Sequence, residues 1–415
     1  MKKILFVAAS AILLAAGCQK TEVLNQAVGD PMTFSTGMAK LTKSATADGL
    51  TNLGTQDFQV WAYTAYTDKL NLVELGAIYE KINGIKVDYT PAAPGSSSAT
   101  CTTANEYYWP GKDLKLDFFA ISSKNTITTA SAAEPADETG DGTDDGTTGG
   151  NNTGNENPAT DLSVSFENPG QGIGTRKMTL TGYSVTAATT DAGADDDLMV
   201  AEFVRQDQSM GDPKKSVSLH FHHALSKVRF KFVTAKEQGN ETKEIVEVTS
   251  FKVDGISTKG NLEVTEKSAS SVDAKYGRTD IVLDWKSVGV AKTFTYNNTI
   301  ILGSNEEWDE SFKKNGEKAY HATWLVIPQD ITNLNVEISF KITNKETKKI
   351  VTSTRLFPLT RAAGTDSDDN AIEAFDDWGI NKITTYTINI SPNKISFNPS
   401  VEDWDKTETN IGQEN

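Results

Sequence analysis

The chain has 415 residues, 37% of them hydrophobic, and carries 40 Lys and Arg against 56 Asp and Glu, a formal net charge of −16. So acidic a surface repels polyanions, which excludes nucleic acid and argues against direct binding to anionic membrane faces. The two cysteines are too few for a disulfide scaffold, and roughly 400 residues make two domains the expected organisation.

The N-terminus reads as an export signal. Lys2 and Lys3 precede an apolar run over 4–16 that is too short to cross a bilayer, which takes about 20 residues. Its end, "LAAGC" at Leu14–Cys18, resembles a bacterial lipobox, with the usual Leu displaced by one position to Leu14. Residues 1–17 are therefore expected to be a lipoprotein signal peptide and Cys18 the lipidated first residue of the mature chain. An ordinary cleavable signal with a chance cysteine is the alternative. Loss of Lys2 and Lys3 with the signal leaves 38 basic residues (40 − 2) against 56 acidic ones, a net charge of −18. With Cys18 acylated, Cys101 has no intramolecular partner, and the exported fold must rest on its core.

Period-2 alternation dominates the rest. Strands are expected at 32–39, 58–66, 80–89 and 113–120, where "DLKLDFFA" sets Leu114, Leu116, Phe118 and Ala120 on one face. Residues 129–160 hold almost no hydrophobic bulk and are rich in Gly, Asp, Asn and Thr, the composition of a flexible acidic insertion. Asp137, Asp141, Asp144 and Asp145 lie within it but lack the closing Glu of a calcium loop. Further strands are expected at 162–167, 177–186 and 198–204. A break follows at 205–216, with Gly211 and Pro213, and places the boundary near residue 214. The expected units are an N-terminal sandwich over 18–214 and a C-terminal one over 215–415.

The second half continues with expected strands at 216–233, 246–264, 322–327, 336–342, 352–358, 383–391 and 394–399. In "NVEISFKIT", Val336, Ile338, Phe340 and Ile342 alternate with Glu337, Ser339 and Lys341. Strands of this length between Gly, Asn, Asp and Thr clusters indicate antiparallel sandwiches with one face buried. The fold class is all-β.

"SLHFHHALSKVRFKF", residues 218–232, holds three of the four histidines. Val217, Leu219 and Phe221 share one face, which puts His220 and His222 on the other. The apolar row then switches parity to Val228, Phe230 and Phe232, so a β-bulge or tight bend is expected near Ala224. A zinc site would need His321 or a cysteine to join His220 and His222, and the spacing offers neither. No G-x-S-x-G elbow or phosphate loop occurs, and the acid pairs Asp376/Asp377 and Glu306/Glu307 do not stand out among so many carboxylates. No catalytic residue, metal or cofactor is expected, and the histidines read as structural.

"HHALSKVRFKF" resembles the His-Ala-Leu-Ser-Lys segment of the Bacteroidales fimbrillin-like proteins, the Mfa-like family of type V pilus subunits. "YYWPGKDLKLDFFA" (107–120), "DLMVA" (197–201), "WLVIPQ" (324–329) and "WGINKITTYTINI" followed by "VEDW" (378–404) are similar to further segments of that family, in the same order. The resemblance implies two tandem transthyretin-like β-sandwiches, export as a lipoprotein, and display at the outer membrane surface within a fimbrium. It further implies cleavage after a basic residue in the loop that follows the first strand. The slot left by that strand is then filled by the C-terminal segment of another subunit, through strand addition. Where the family often has Thr-Arg-Ala, this chain has "TKSA", so the processing residue is Lys43, or alternatively Lys40; no arginine precedes Arg176.

The donor candidate is the tail, in which Ile395 and Phe397 alternate ahead of Val401 and Trp404; Pro392 and Pro399 limit it to an edge or a strand end. The function so implied is a structural subunit for cell adhesion, as stalk, tip or anchor. Its partners are other fimbrial subunits, the membrane through the lipid on Cys18, and host or bacterial surface ligands. The alternative is a standalone surface lipoprotein that stacks glycans on Trp61, Tyr63, Tyr107, Tyr108 and Trp109.

Overall fold

The computed structural model describes residues 30–38, 56–65, 77–91, 99–110, 114–130, 162–187, 196–210, 216–233, 244–268, 272–273, 275–287, 289–302, 320–365, 371–372, 374–390 and 395–404. Cys18, Lys40, Lys43, residue 214 and all but the first two residues of the acidic insertion lie outside these.

Among the described residues the regular structure is all β. The first half holds β1 (Pro31–Met38), β2 (Phe58–Ala65), β3 (Ile78–Thr90), β4 (Thr100–Thr103), β5 (Tyr107–Tyr108), β6 (Lys115–Ser122) and β7 (Thr128–Thr129). It continues with β8 (Ser163–Glu167), β9 (Lys177–Ser184), β10 (Met199–Ala201) and β11 (Phe203–Gln206). Then come β12 (Ser216–His223), β13 (Ser226–Val233), β14 (Glu244–Ser257), β15 (Lys259–Glu266), β16 (Val272–Asp273), β17 (Arg278–Thr279) and β18 (Ile281–Ser287). β19 (Ala291–Tyr296), β20 (Ile300–Leu302), β21 (Ala322–Val326), β22 (Gln329–Asp330), β23 (Asn335–Asn344) and β24 (Ile350–Pro358) follow. The last are β25 (Gly364–Thr365), β26 (Ala371–Ile372), β27 (Asp377–Trp378), β28 (Lys382–Ile390) and β29 (Ile395–Asp403).

An eleven-stranded sheet runs β16-β17-β11-β6-β10-β12-β1-β5, with β2 joining β6 to β3 and β4. Its central strands bury both faces. On β2 and β6, Phe58, Val60, Ala62, Leu116, Phe118 and Ala120 enter one core, while Trp61, Tyr63, Phe119 and Ile121 enter the other. The second of these faces packs on the sheet β18-β15-β9-β8-β7 through Val164, Met178, Leu180, Leu262 and Val264. The first is lined by the same sheet's own outlying strands, including Met32, Phe34, Ile82, Val87 and Tyr89, so the sheet curls over on itself. Two register shifts between β2 and β3 supply curvature. Gly84 sits there with φ +67°, and a Cβ on it would meet the Trp61 ring nitrogen at 3.2 Å.

The remaining large sheets face each other as a sandwich. One runs β21-β13-β28-β29; the other runs β19-β14-β23-β24, with β20 also on β14. Alternation is clean: β13 buries Val228, Phe230 and Phe232, and β23 buries Val336, Ile338, Phe340 and Ile342. Between the layers Phe230 meets Phe251 at 5.0 Å, and Trp324 meets Phe251 at 5.6 Å and Phe294 at 5.5 Å.

The parity switch in "HHALS" is a change of sheet. β12 ends in the eleven-stranded sheet, Ala224 and Leu225 are fully buried at the turn, and β13 starts in the sandwich. The expected element 246–264 divides in the same way: β14 and β15 lie in different sheets, with the break at Thr258. Thr258 bonds Val290 O through both its amide (2.9 Å) and its hydroxyl (2.8 Å), and Val185 donates to Thr258 O at 2.9 Å. Trp285 Nε1 donates to Ala224 O at 2.7 Å. These crossings form one junction between the layers.

His321 is a buried histidine of the sandwich. Its Nδ1 accepts the Phe232 amide at 3.0 Å, which requires the neutral ring. Burial, then the charge of Lys231, pushes its pKa from 6.5 down to about 4. Between these values the unfolded chain binds a proton that the folded chain refuses. Stability is therefore full above pH 6.5 and falls as the pH drops toward 4, by on the order of 3 kcal/mol from this group. His321→Asn keeps an acceptor oxygen for the Phe232 amide without a titrating ring. Thermal unfolding between pH 7 and 4 should show a flatter acid slope in that variant.

Candidate functional site

β1 is short, N-terminal and wedged. It runs parallel to β12 from Thr33↔Ser216 to Met38↔Phe221, and its first two residues meet β5 antiparallel. Met32 and Phe34 are buried side chains of its described part; Phe34 packs edge-on against Phe118 at 6.4 Å. Ser216 and Ser35 share a hydroxyl bond of 3.1 Å, and Trp109 N donates to Asp30 O at 3.1 Å. Among the described residues, two large side chains at about 1.5–3 kcal/mol each, the long ladder to β12 and the short one to β5 hold this strand in place. Without it, the apolar row Phe118, Val217, Leu219 and Trp109 would face an open slot.

The C-terminal strand is held at the other end of the chain. Among the described residues β29 pairs only with β28, over nine positions, and is an edge strand with Pro399 near its middle. Its terminus is fastened at the junction. Trp404 stacks on His223 at 3.8 Å with ring planes 7° apart, and Lys227 Nζ lies 4.1 Å over the Trp404 ring. His223 Nδ1 in turn meets Asp197 Oδ1 at 3.0 Å. Trp404 N donates to Asn381 O at 2.9 Å, and Asn381 N to Leu225 O at 3.1 Å. Arg361 Nη1 reaches Pro399 O at 2.8 Å, and Lys382 pairs with Asp403.

His220 and His222 flank Glu202 on the other face of β12. His222 Nε2 is 3.3 Å from Glu202 Oε1, while His220 Nε2 takes Arg278 Nη1 at 2.7 Å. Burial, then the Arg278 charge, pushes His220 down to about 4, so it is neutral near pH 7. With a guanidinium on its Nε2, His220 does not present that nitrogen to a metal. His321 lies in the other layer, on Phe232. Among the described residues no group of three or more His, Cys, Asp or Glu has the geometry to hold a metal.

A buried ion network escapes the sequence patterns. Asp117 on β6 takes Arg176 Nη1 at 2.8 Å, Arg205 through Nε and Nη2 at 2.7 Å each, and the Gly170 amide at 2.7 Å. Arg176 also pairs with Glu266, its Nε lying 3.0 Å from Oε2, and Gly174 N adds a bond of 2.6 Å. Burial raises the Glu266 carboxyl, but Arg176 outweighs it and the group ends below its ordinary value. Gly277 completes the site with φ +65°; a Cβ there would lie 1.9 Å from Arg205 O. The network clamps the eleven-stranded sheet to the sheet carrying β9 and β15.

Of the five aromatics proposed as a sugar platform, Trp61, Tyr63 and Trp109 are buried in the cores, and Tyr107 and Tyr108 are half-buried.

The fimbrillin-like family model matches residues 168–404, more than half of the chain. This chain belongs to the fimbrillin-like family. Solved structures similar to it include a fimbrial protein from Bacteroides vulgatus, 15% identical, covering 90% of this chain and 100% of that one at a TM-score of 0.45. A fimbrial assembly protein from Parabacteroides distasonis is 10% identical over 90% and 99% of the two chains, with a TM-score of 0.32. A C-terminally truncated tip fimbrial protein from Porphyromonas gingivalis is 11% identical over 84% and 94%, with a TM-score of 0.25. No curated protein matches the sequence. The family match spans the fimbrillin-like chain from the end of β8 through Trp404, so it takes in the junction and the fastened tail.

Proposed function

We propose that this fimbrillin-like chain is a structural, non-catalytic subunit of a cell-surface fimbria that serves adhesion, as stalk, tip or anchor. The family match carries the reading. In this proposal the chain is lipidated on Cys18 and displayed at the outer membrane. It comprises two tandem transthyretin-like sandwiches divided near residue 214, with β12 and β15 to β18 reaching back across that point. Cleavage after Lys43, or after Lys40, releases β1, and the C-terminal segment of a neighbouring subunit enters the slot.

Three features support this. β1 ends at Met38, just ahead of the two lysines, and its described part is held by two apolar side chains, one long ladder to β12 and a two-residue ladder to β5. Ile395 and Phe397 repeat the i, i+2 spacing of Met32 and Phe34. β29 is an edge strand, so it can leave without opening a sheet. The glycan-binding alternative loses three of its five aromatics to the core.

Limited trypsin digestion of the exported chain, run on a non-boiled gel, tests the reading. Cleavage after Lys43 or Lys40 followed by heat-sensitive multimers is expected. The double variant Lys40→Ala, Lys43→Ala should remain uncut in that loop and stay free of multimers. Multimers of unchanged yield in the uncut double variant would overturn the processing step; clean cleavage without multimers would overturn strand exchange.

A further inference from the structure

β-Sheets end in strands with an open backbone edge, and proteins guard such edges with charge, proline, bulges or brevity. Most edges here are guarded. β18 carries Asp284 and Lys286; β19 carries Lys292 and a register shift against β14; β29 carries Pro399, Glu402 and Asp403. β4, β5, β7, β16, β20 and β21 are all of five residues or fewer.

β24 differs. Its residues Ile350–Pro358 pair with β23 over nine positions without a register shift. Arg355 is its one charged residue, and its proline occupies the last position. Ile350, Val351 and Leu356 are 56%, 50% and 62% exposed, the three most exposed large hydrophobics among the described residues. A long, regular, weakly charged edge with an apolar surface is a template for another strand.

We propose that β24 is a homotypic docking edge, on which a second copy of this chain lays its own β24 antiparallel about a two-fold axis at Thr354. The strand is complementary to itself in that register. Val351 comes opposite Phe357, Thr352 opposite Leu356, Ile350 opposite Pro358, and Arg355 opposite Ser353. No charge meets a like charge directly, and apolar groups meet apolar or small ones on both faces. Two copies of a chain with net charge −16 repel each other, and β24 with its entry turn is locally basic, carrying Lys345, Lys348, Lys349 and Arg355 against Glu346. In the two-fold register the lysine turns of the two copies lie at opposite ends of the paired strands, which keeps these like charges apart. The closed interface is isologous, two five-stranded sheets becoming one. One strand pair covers less area than a standard interface, so the contact is weak between single molecules and strengthens when copies are arrayed.

The test uses the full-length, uncleaved chain, in which strand exchange at β1 does not operate. Sedimentation over a concentration series should show a monomer–dimer equilibrium. Thr354→Lys, an exposed position that meets its own copy at the axis, should weaken self-association by about tenfold or more, as should Thr354→Glu. An equimolar mixture of the two variants should restore the dimer. Thr354→Cys should cross-link to itself under mild oxidation, and Val282→Cys on the guarded β18 should not. A chain that remains monomeric throughout, or dimers indifferent to Thr354→Lys, would overturn the proposal. Cross-linking of Thr354→Cys only to foreign surface proteins would also overturn it, in favour of an unrelated strand.

Discussion

Arg176→Met is expected to destabilise the chain by about 3–5 kcal/mol, the cost of removing one partner from a buried ion pair. The loss leaves Glu266 buried with the Gly174 amide and without its guanidinium, and leaves Asp117 to Arg205 and the Gly170 amide. Urea unfolding of the variant measures it. The sharper outcome lies in the double variant Arg176→Met, Glu266→Leu. Desolvating an ion pair offsets much of its attraction, so an apolar replacement of both partners should be less destabilised than the single variant. If the double variant is the less stable of the two, the network contributes net stability beyond what its desolvation consumes. Acid acts on the same site: Glu266 lies below its ordinary pKa, so its contribution is present at neutral pH and fades as the pH falls through the carboxylate range.

Trp404→Ala is expected to loosen β29 by about 3 kcal/mol, at the low end for a buried tryptophan because a strand terminus can relax. The substitution removes the stack on His223 and the contact of Lys227 Nζ with the ring. Amide hydrogen exchange should show β29 opening about a hundredfold more often, while the strands around Phe118 keep their protection. His223→Ala should reproduce part of this effect, and the two losses should fall short of additive because the rings share one contact. If β29 is the segment given to a neighbour, the Trp404 variant should also assemble faster than the unaltered chain. A tail that exchanges as slowly as before would mean that the ladder to β28 alone sets its hold.

The all-β class was legible because single strands carry their own alternation: β13 and β15 bury every second residue from end to end, and β23 does so through Ile342. The family segments were legible for a related reason, since "HALS", "DLM" and the closing Trp mark the places where the chain changes sheet or fastens its end. Sheet membership was not legible. The run 246–264 reads as one element, and nothing in its period reveals that Thr258 turns it into a different sheet. Asp117 was hidden by the same limit. It alternates with Leu116 and Phe118 as a solvent-facing residue should, but the sheet is covered on both sides and Asp117 is buried with Arg176. β19 was missed because Lys292 stands in the row of Phe294 and Tyr296; β18 was missed although Ile281, Leu283 and Trp285 alternate with Asp284 and Lys286.

The parallel pairing of β1 with β12 sets an order of events in synthesis. Phe34 lies opposite Val217, 183 residues further along (217 − 34), so the first strand to leave the ribosome lacks its long neighbour until more than half of the chain has been made. Contacts of such separation form late, since the intervening chain must first be brought together. Once β12 has been made, and until β1 pairs with it, the curled sheet holds an apolar vacancy beside β12, and any extended segment with apolar residues two apart competes for it. Early occupancy is thus a race between a covalently tethered strand and free ones. The tether wins through local concentration, and the outcome would change if the chain were permuted to begin at residue 56.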